Sequence, residues 1–211
     1  SGSTGRPKGV MVDQTGFSNH LAVMIEALSL EHGKVVCFTA PVTFDISIWQ
    51  IAAPLVCGAR VEVIDPDVTS SLSDLLARLG GVRPHVLQTV PGLGRALLEL
   101  ATATPPAPGH AGLFGLEVLS FTGEALPSDL AALCSRAGPS TRLLNAYGPA
   151  ECADDVTLYW AGAETVTGTA SVPIGRPIAN VTCRILARDS DLCRAPLGLA
   201  GEIAVGGCCV G

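Results

Sequence analysis

The chain has 211 residues, 48% of them hydrophobic and 15% charged, which is ample material for one large core. Its net charge of −6 includes only 13 Lys and Arg, scattered along the sequence, and this argues against nucleic acid as a partner. No apolar run reaches the roughly 18 residues that a membrane span needs, so no membrane partner is expected.

The chain opens on Ser-Gly-Ser-Thr-Gly-Arg-Pro-Lys-Gly, residues 1–9. Gly2, Gly5 and Gly9 permit backbone conformations that turn successive N–H groups inward. Ser1, Ser3 and Thr4 add hydroxyl donors, and Lys8 adds a point charge for a polyphosphate. The spacing cannot be threaded by Gly-x-x-x-x-Gly-Lys-Ser/Thr, so this is not the loop of the P-loop NTPases. A flexible loop is the other reading of so short a Gly/Ser/Thr stretch. A start inside such a loop is expected of a piece of a larger protein.

Apolar runs then alternate with helical stretches. Helices are predicted over Gln14–Leu30, Ile46–Val56, Leu72–Leu79, Leu93–Ala101 and Ser128–Arg136. Strands are predicted over Val35–Thr39, Arg60–Ile64, Val86–Val90, Leu116–Phe121 and Arg142–Ala146. This alternation predicts an α/β fold, a mostly parallel sheet flanked by helices. Thr102–Gly112, with three prolines and two glycines, reads as a surface loop. After about Val156 the helices stop. Val156–Trp160, Asn180–Ala187 and Glu202–Val205 read as strands that start a β-rich subdomain. The expected division is a partial α/β core over 1–165 and a partial β-rich subdomain over 166–211.

The eight cysteines, at 37, 57, 134, 152, 183, 193, 208 and 209, form no Cys-x-x-Cys, and no histidine lies near them at zinc-finger spacing. Several sit in apolar runs. They read as buried free thiols in a reducing cytoplasm, rather than disulfides or metal ligands.

Ligands of open α/β sheets sit beyond the carboxyl ends of the strands. Four polar clusters fall there: Thr43–Ser47, Gln88, Ser120–Glu124 and Asn145–Asp155. In Tyr147-Gly148-Pro149-Ala150-Glu151, a turn after a buried strand would project a flat ring suited to a purine and a hard carboxylate suited to Mg²⁺. A plain turn with a solvated Glu is the competing reading. Asp45 has two readings as well: the N-cap of a helix starting near Ile46, or a carboxylate beside the indole of Trp49, wanting a cation.

Together these segments resemble the adenylation domains of nonribosomal peptide synthetases, within the family of acyl-CoA synthetases and luciferases. Four motifs occur in the family's order: the phosphate loop at 1–9, Phe44-Asp45-Ile46-Ser47, Asn145-Ala146-Tyr147-Gly148-Pro149-Ala150-Glu151, and Gly201-Glu202-Ile203-Ala204-Val205-Gly206-Gly207. Val172-Pro173-Ile174-Gly175-Arg176-Pro177 fits the linking segment. The resemblance implies an enzyme that joins an amino acid to AMP from MgATP and loads it onto a phosphopantetheine thiol of a carrier domain. Acyl- or aryl-acid CoA ligases and a non-catalytic nucleotide-binding remnant are the rival classes.

The resemblance also implies roles. Gly123, Glu124 and Ala125 lie along the adenine, Asn145 bonds its amino edge, Tyr147 stacks on it, and Glu151 holds Mg²⁺ as a catalytic residue with Lys8. Ala146, Gly148 and Ala150 complete the nucleotide site. Ala150 departs from the family, which has Thr there with its hydroxyl on the α-phosphate; losing that bond costs about 1.5–3 kcal/mol if nothing replaces it. The substrate pocket carries over as Asp45, Ile46, Trp49, Gln88, Ser120, Thr122, Ala146, Asp154 and Asp155, with Asp45 pairing the α-ammonium. Asp154 and Asp155 repel each other unless a cation lies between them or one is protonated, so a polar or cationic substrate side chain is expected. If both lie in one strand they face opposite ways, and only one lines the pocket. They also read as plain turn carboxylates. The family's ribose-binding Thr-Gly-Asp, its hinge and its mobile C-terminal subdomain with a catalytic lysine do not occur in these residues. An isolated 211-residue piece is therefore expected to be inactive.

Overall fold

The computed structural model describes residues 9–103, 115–162, 170–188 and 193–211. Six predicted phosphate-loop residues, Ser1, Gly2, Ser3, Thr4, Gly5 and Lys8, lie outside them, as does most of the predicted loop over Thr102–Gly112.

Helix α1 spans Gln14–Ala27 and starts where the Asp13 carboxylate accepts the Gly16 N–H at 2.7 Å. It ends three residues before the predicted Leu30, because Ser29 turns left-handed at φ 53°. Strand β1 is Val35–Phe38, and α2, Ile46–Cys57, closes on left-handed Gly58 at φ 74°. Strand β2, Arg60–Val63, precedes α3, Pro66–Ser70, a short helix that the sequence reading omitted. Its signal was local: Asp65 caps it and Pro66 occupies its first turn. Helix α4 spans Leu72–Val82, ended by left-handed Arg83. Then come β3 (Val86–Thr89), α5 (Pro91–Ala103), β4 (Val118–Phe121), α6 (Ser128–Ala137) and β5 (Arg142–Tyr147). A single 3₁₀ turn, Ala150–Cys152, leads to β6 (Thr157–Ala161), β7 (Arg176–Pro177), β8 (Val181–Leu186) and β9 (Glu202–Gly207).

Seven strands form one sheet in the order β2-β1-β3-β4-β5-β6-β7. The first five run parallel, and β6 and β7 are antiparallel additions. Side chains alternate between its faces. Val86 and Val118 join one core with Met24, Trp49 and Ala53, under α1 and α2. Leu87 and Leu119 join the other with Leu75, Leu98 and Leu130, under α4, α5 and α6. Strands β3 and β4 are buried throughout, as expected of a sheet covered on both faces.

One expectation is corrected. The strand read at Val156–Trp160 does not start the β-rich subdomain; as β6 it pairs antiparallel with β5 from Leu143↔Ala161 to Tyr147↔Thr157. The chain doubles back through 148–156, and the Val156 N–H bonds the Tyr147 carbonyl at 2.8 Å. The separate two-stranded sheet is β8 with β9. A third cluster, Cys152, Ala153, Val156, Ile178, Val181 and Cys209, ties this hairpin to the doubled-back turn.

Candidate functional site

The parallel register sets Thr89 beside Phe121, and Phe121 beside Asn145. The carboxyl ends of β3, β4 and β5 therefore open onto one side of the sheet. Two cavities lie there, on either side of the chain that leaves β5.

The first, about 280 Å³, is lined by Gly123 to Leu126, Asn145 to Gly148, and Ser171, Val172 and Ile174. Gly123 takes φ 85°, a conformation that favours glycine, so the loop after β4 bends across the mouth. Asn145 is buried, and its Nδ2 donates to the carbonyls of Val172 (3.3 Å) and Pro173 (2.9 Å). These bonds fix the amide plane and leave the Oδ1 end as an acceptor, suited to an exocyclic amino group. Tyr147 is 38% exposed at the rim. The predicted Glu124, Ala125, Ala146 and Gly148 line the same cavity. Ala146 was also expected in the substrate pocket, but its lining role is on this side alone.

The second cavity, about 330 Å³, is lined by Val12, Asp13, Gln14, Phe17, His20, Asp45, Ile48, Ala150, Ala153 and Asp154. Asp45 has helical dihedrals, and its Oδ1 accepts the N–H of the adjacent Ile46 at 3.0 Å. The cap and the cavity-facing role thus coexist in one residue. Asp154 does not lie in a strand. Ala153 and Asp154 are both left-handed, at φ 57° and 81°, and β6 begins only at Thr157. The turn sends the two carboxylates to different neighbours. Asp154, 6% exposed, faces the cavity with Oδ2 unpartnered. Asp155, 1% exposed, accepts the Thr122 hydroxyl at 3.1 Å and sets its other oxygen 3.7 Å from His20 Nε2. Burial first, then the charges of Asp155 and Asp45, hold the Asp154 carboxyl well above the usual carboxylate range.

The remaining predicted pocket residues do not line this cavity; Trp49, Gln88, Ser120 and Thr122 are buried and Ile46 is partly buried. Trp49 is fully buried and donates Nε1–H to Gln88 Oε1 at 2.9 Å, so Gln88 is committed to the indole. Ser120 is fully buried with its hydroxyl unpartnered, and Ile46 packs on the α1–α2 core. Glu151 is exposed beside Ala150, and its backbone carbonyl accepts the Gly211 N–H at 2.9 Å.

Sequence reasoning missed His20. It is 1% exposed on α1, lines the second cavity, and has both ring nitrogens unpartnered. Its only local signal was a polar side chain on the same helical face as Gly16 and Met24.

The sequence matches AMP-binding enzymes over residues 1–211. The chain belongs to the AMP-binding enzyme family. This AMP-binding chain is 34% identical over 209 residues to indigoidine synthase of Dickeya dadantii, covering 98% of itself and 13% of that relative. It therefore spans only a small part of the length of the curated relatives it matches. Its fold is similar to the Vibrio cholerae adenylation domain AlmE, crystallised with glycyl-adenosine-5′-phosphate, with a TM-score of 0.85 and 30% identity over 100% of this chain and 38% of AlmE. A nonribosomal peptide synthetase solved with α-methyl-L-serine-AMP matches with a TM-score of 0.86 and 27% identity, over 96% of this chain and 22% of that one. The resemblance drawn from the four ordered motifs is thus borne out, as is the mostly parallel sheet followed by a small second one.

Proposed function

We propose that this chain is the central part of an amino-acid-activating adenylation domain. In this reading residues 1–165 form its core, and 166–211 open a smaller β-rich subdomain, apart from β7 on the core sheet. The observation that carries the reading is the pair of cavities flanking one segment. One is lined by Asn145 and Tyr147, the other by Asp45, with the 148–154 turn common to both. The bound adenylates of the two structural relatives join an amino acid to AMP, which supports two adjoining subsites of this kind.

The first cavity would take adenine, its amino group donating to Asn145 Oδ1 and its ring stacking on Tyr147. Asp45 would hold the α-ammonium and thereby turn the substrate carboxylate toward the α-phosphate. The carboxylate oxygen attacks the α-phosphorus, the bond to pyrophosphate breaks, and an aminoacyl-adenylate forms. Catalysis is mostly positioning and charge neutralisation. Ser1, Gly2, Ser3, Thr4, Gly5 and Lys8 would surround the phosphates. Glu151 offers a hard carboxylate oxygen in contact with solvent, which fits Mg²⁺, an ion that keeps several waters. When bound, the ion neutralises phosphate charge. The acyl group would then pass to a carrier domain's phosphopantetheine thiol, with a C-terminal subdomain of the parent assisting. Eight free cysteines support a reducing cytoplasm as the working compartment. Among the described residues, no helix is long and apolar enough to cross a membrane.

The test is ATP–pyrophosphate exchange by the full-length parent with panels of amino acids, fatty acids and aryl acids. Amino-acid-dependent exchange is expected. Exchange sustained only by acids that lack an amine would assign the chain to acyl or aryl ligases, and ATP binding without exchange to a non-catalytic remnant.

A further inference from the structure

The second cavity has a charge imbalance. Asp45 and Asp154 line it, the charge of buried Asp155 acts on Asp154 from behind, and its lining contains no Lys or Arg among the described residues. The three carboxylates are not equivalent. On the reading above, Asp45 receives the α-ammonium. Asp155 is occupied by the Thr122 hydroxyl on one oxygen and faces His20 Nε2 at 3.7 Å with the other. Asp154 is left over. It is 94% buried, its Oδ2 has no partner, and its remaining bond is from the backbone N–H of Asp155. A buried carboxylate in this state lacks a cation, and no Lys or Arg of the cavity lining supplies one.

We propose that the cavity selects an α-amino acid whose side chain ends in an ammonium or guanidinium group, held by Asp154, with His20 and Asp155 forming the wall behind it. The inference rests on the amino-acid-activating reading and deepens it. An aliphatic or aromatic side chain would cover the orphan oxygen and leave it unpaired. A carboxamide would supply a hydrogen bond but no charge. A cation supplies both, and charge-assisted bonds are the stronger kind. The ligand atoms of His20, Asp154 and Asp155 also lie within 4.8 Å of one another, so a metal ion is the competing occupant. The cavity favours an organic cation, because about 330 Å³ shared with Asp45 suits a small molecule rather than a bare ion.

The experiment is exchange by the full-length parent with ornithine, lysine and arginine against the uncharged norvaline, norleucine and citrulline. One basic amino acid is expected to exceed its uncharged counterpart by about a hundredfold in kcat/KM. Asp154→Asn is isosteric, and a melting curve establishes that it folds. It should bring that ratio to within about tenfold, chiefly by raising KM for the basic substrate. A preference for an uncharged amino acid, or an unchanged ratio in Asp154→Asn, would overturn the inference and leave the activation of amino acids standing. Exchange with amine-free acids alone would overturn both. A stoichiometric metal ion that copurifies with the wild type and is lost in Asp154→Asn would also overturn it.

Discussion

Gly148 and Asp154 pack backbone against backbone: a Cβ on Gly148 would overlap the carbonyl oxygen of Asp154. Gly148 lines the first cavity and Asp154 the second, so one close approach fixes the wall that they share. The approach is possible only because residue 148 has no side chain.

Gly148→Ala should therefore damage the site more than the fold. The added methyl must push the 153–156 turn outward, and overpacking of this kind costs about 1–3 kcal/mol. Asp154 and Ala150 move with that turn. The expected outcome is loss of most exchange activity in the parent, with circular dichroism unchanged and a lowered melting temperature. Wild-type exchange rates in Gly148→Ala would show that the turn does not set the wall.

Asp45→Ala and Glu151→Gln should separate the two halves of the reaction. Asp45 faces the second cavity, and removing its charge should raise KM for the amino acid by about 30-fold or more, the scale of a buried charge-assisted pair. ATP affinity should stay within about twofold. Glu151→Gln should instead raise the Mg²⁺ concentration needed for half-maximal rate. Exchange within twofold of wild type in Asp45→Ala would leave only its bond to the Ile46 N–H as a role.

The parallel direction of most of the sheet was legible because each predicted strand from Val35 to Ala146 is followed by, or follows, a helix-period segment. Element ends moved by one to three residues where a cap decided them, as at Ser29 and Arg83. The placement of β6 was not legible. A strand sequence states which residues alternate, not which edge they join, and the doubling back depends on Gly148 packing under Asp154. The split of Asp154 from Asp155 was hidden for a related reason. It needs two non-glycine residues in left-handed conformations, which local propensity disfavours and only the surrounding turn enforces. His20 was hidden because the carboxylate it faces, Asp155, lies more than a hundred residues away in the chain.

Ala150→Thr tests a departure from the family pattern. Ala150 lines the second cavity beside Asp45 and Asp154, and it follows the chain that borders the first. A hydroxyl there would lie between the two subsites. Exchange by the parent is expected to rise by as much as about tenfold, equivalent to about 1.4 kcal/mol of transition-state stabilisation. An unchanged rate would show that other donors already serve the α-phosphate.

Gly94→Ala addresses the core rather than the site. A Cβ on Gly94 of α5 would run into the ring of Phe121, which is fully buried on β4. Helix α5 would have to lift from the sheet, and a loss of about 1–3 kcal/mol in stability is expected, measured by urea unfolding. Because Thr122 follows Phe121 directly and bonds Asp155, selectivity between amino acids should shift as well. Unfolding identical to wild type would mean that the ring has room to move.

The pH dependence of stability should identify Asp154 as a buried acid. Its carboxyl in the folded protein is held well above the ordinary 3.8, first by burial and then by Asp155 and Asp45. Below 3.8 both the folded and the unfolded forms carry the proton, and the group costs nothing. As pH rises past 3.8 the unfolded chain ionises first, so the folded state loses stability until its own raised value is passed; beyond that the loss is constant. Asp154→Asn removes this contribution. The variant should melt close to wild type at pH 4 and higher than wild type at pH 7.5, with the gap opening between. A saturating basic amino acid should narrow the gap at pH 7.5 by stabilising the wild type in preference to the variant. A gap of the same size at every pH would show that Asp154 titrates normally and is not a buried, uncompensated acid.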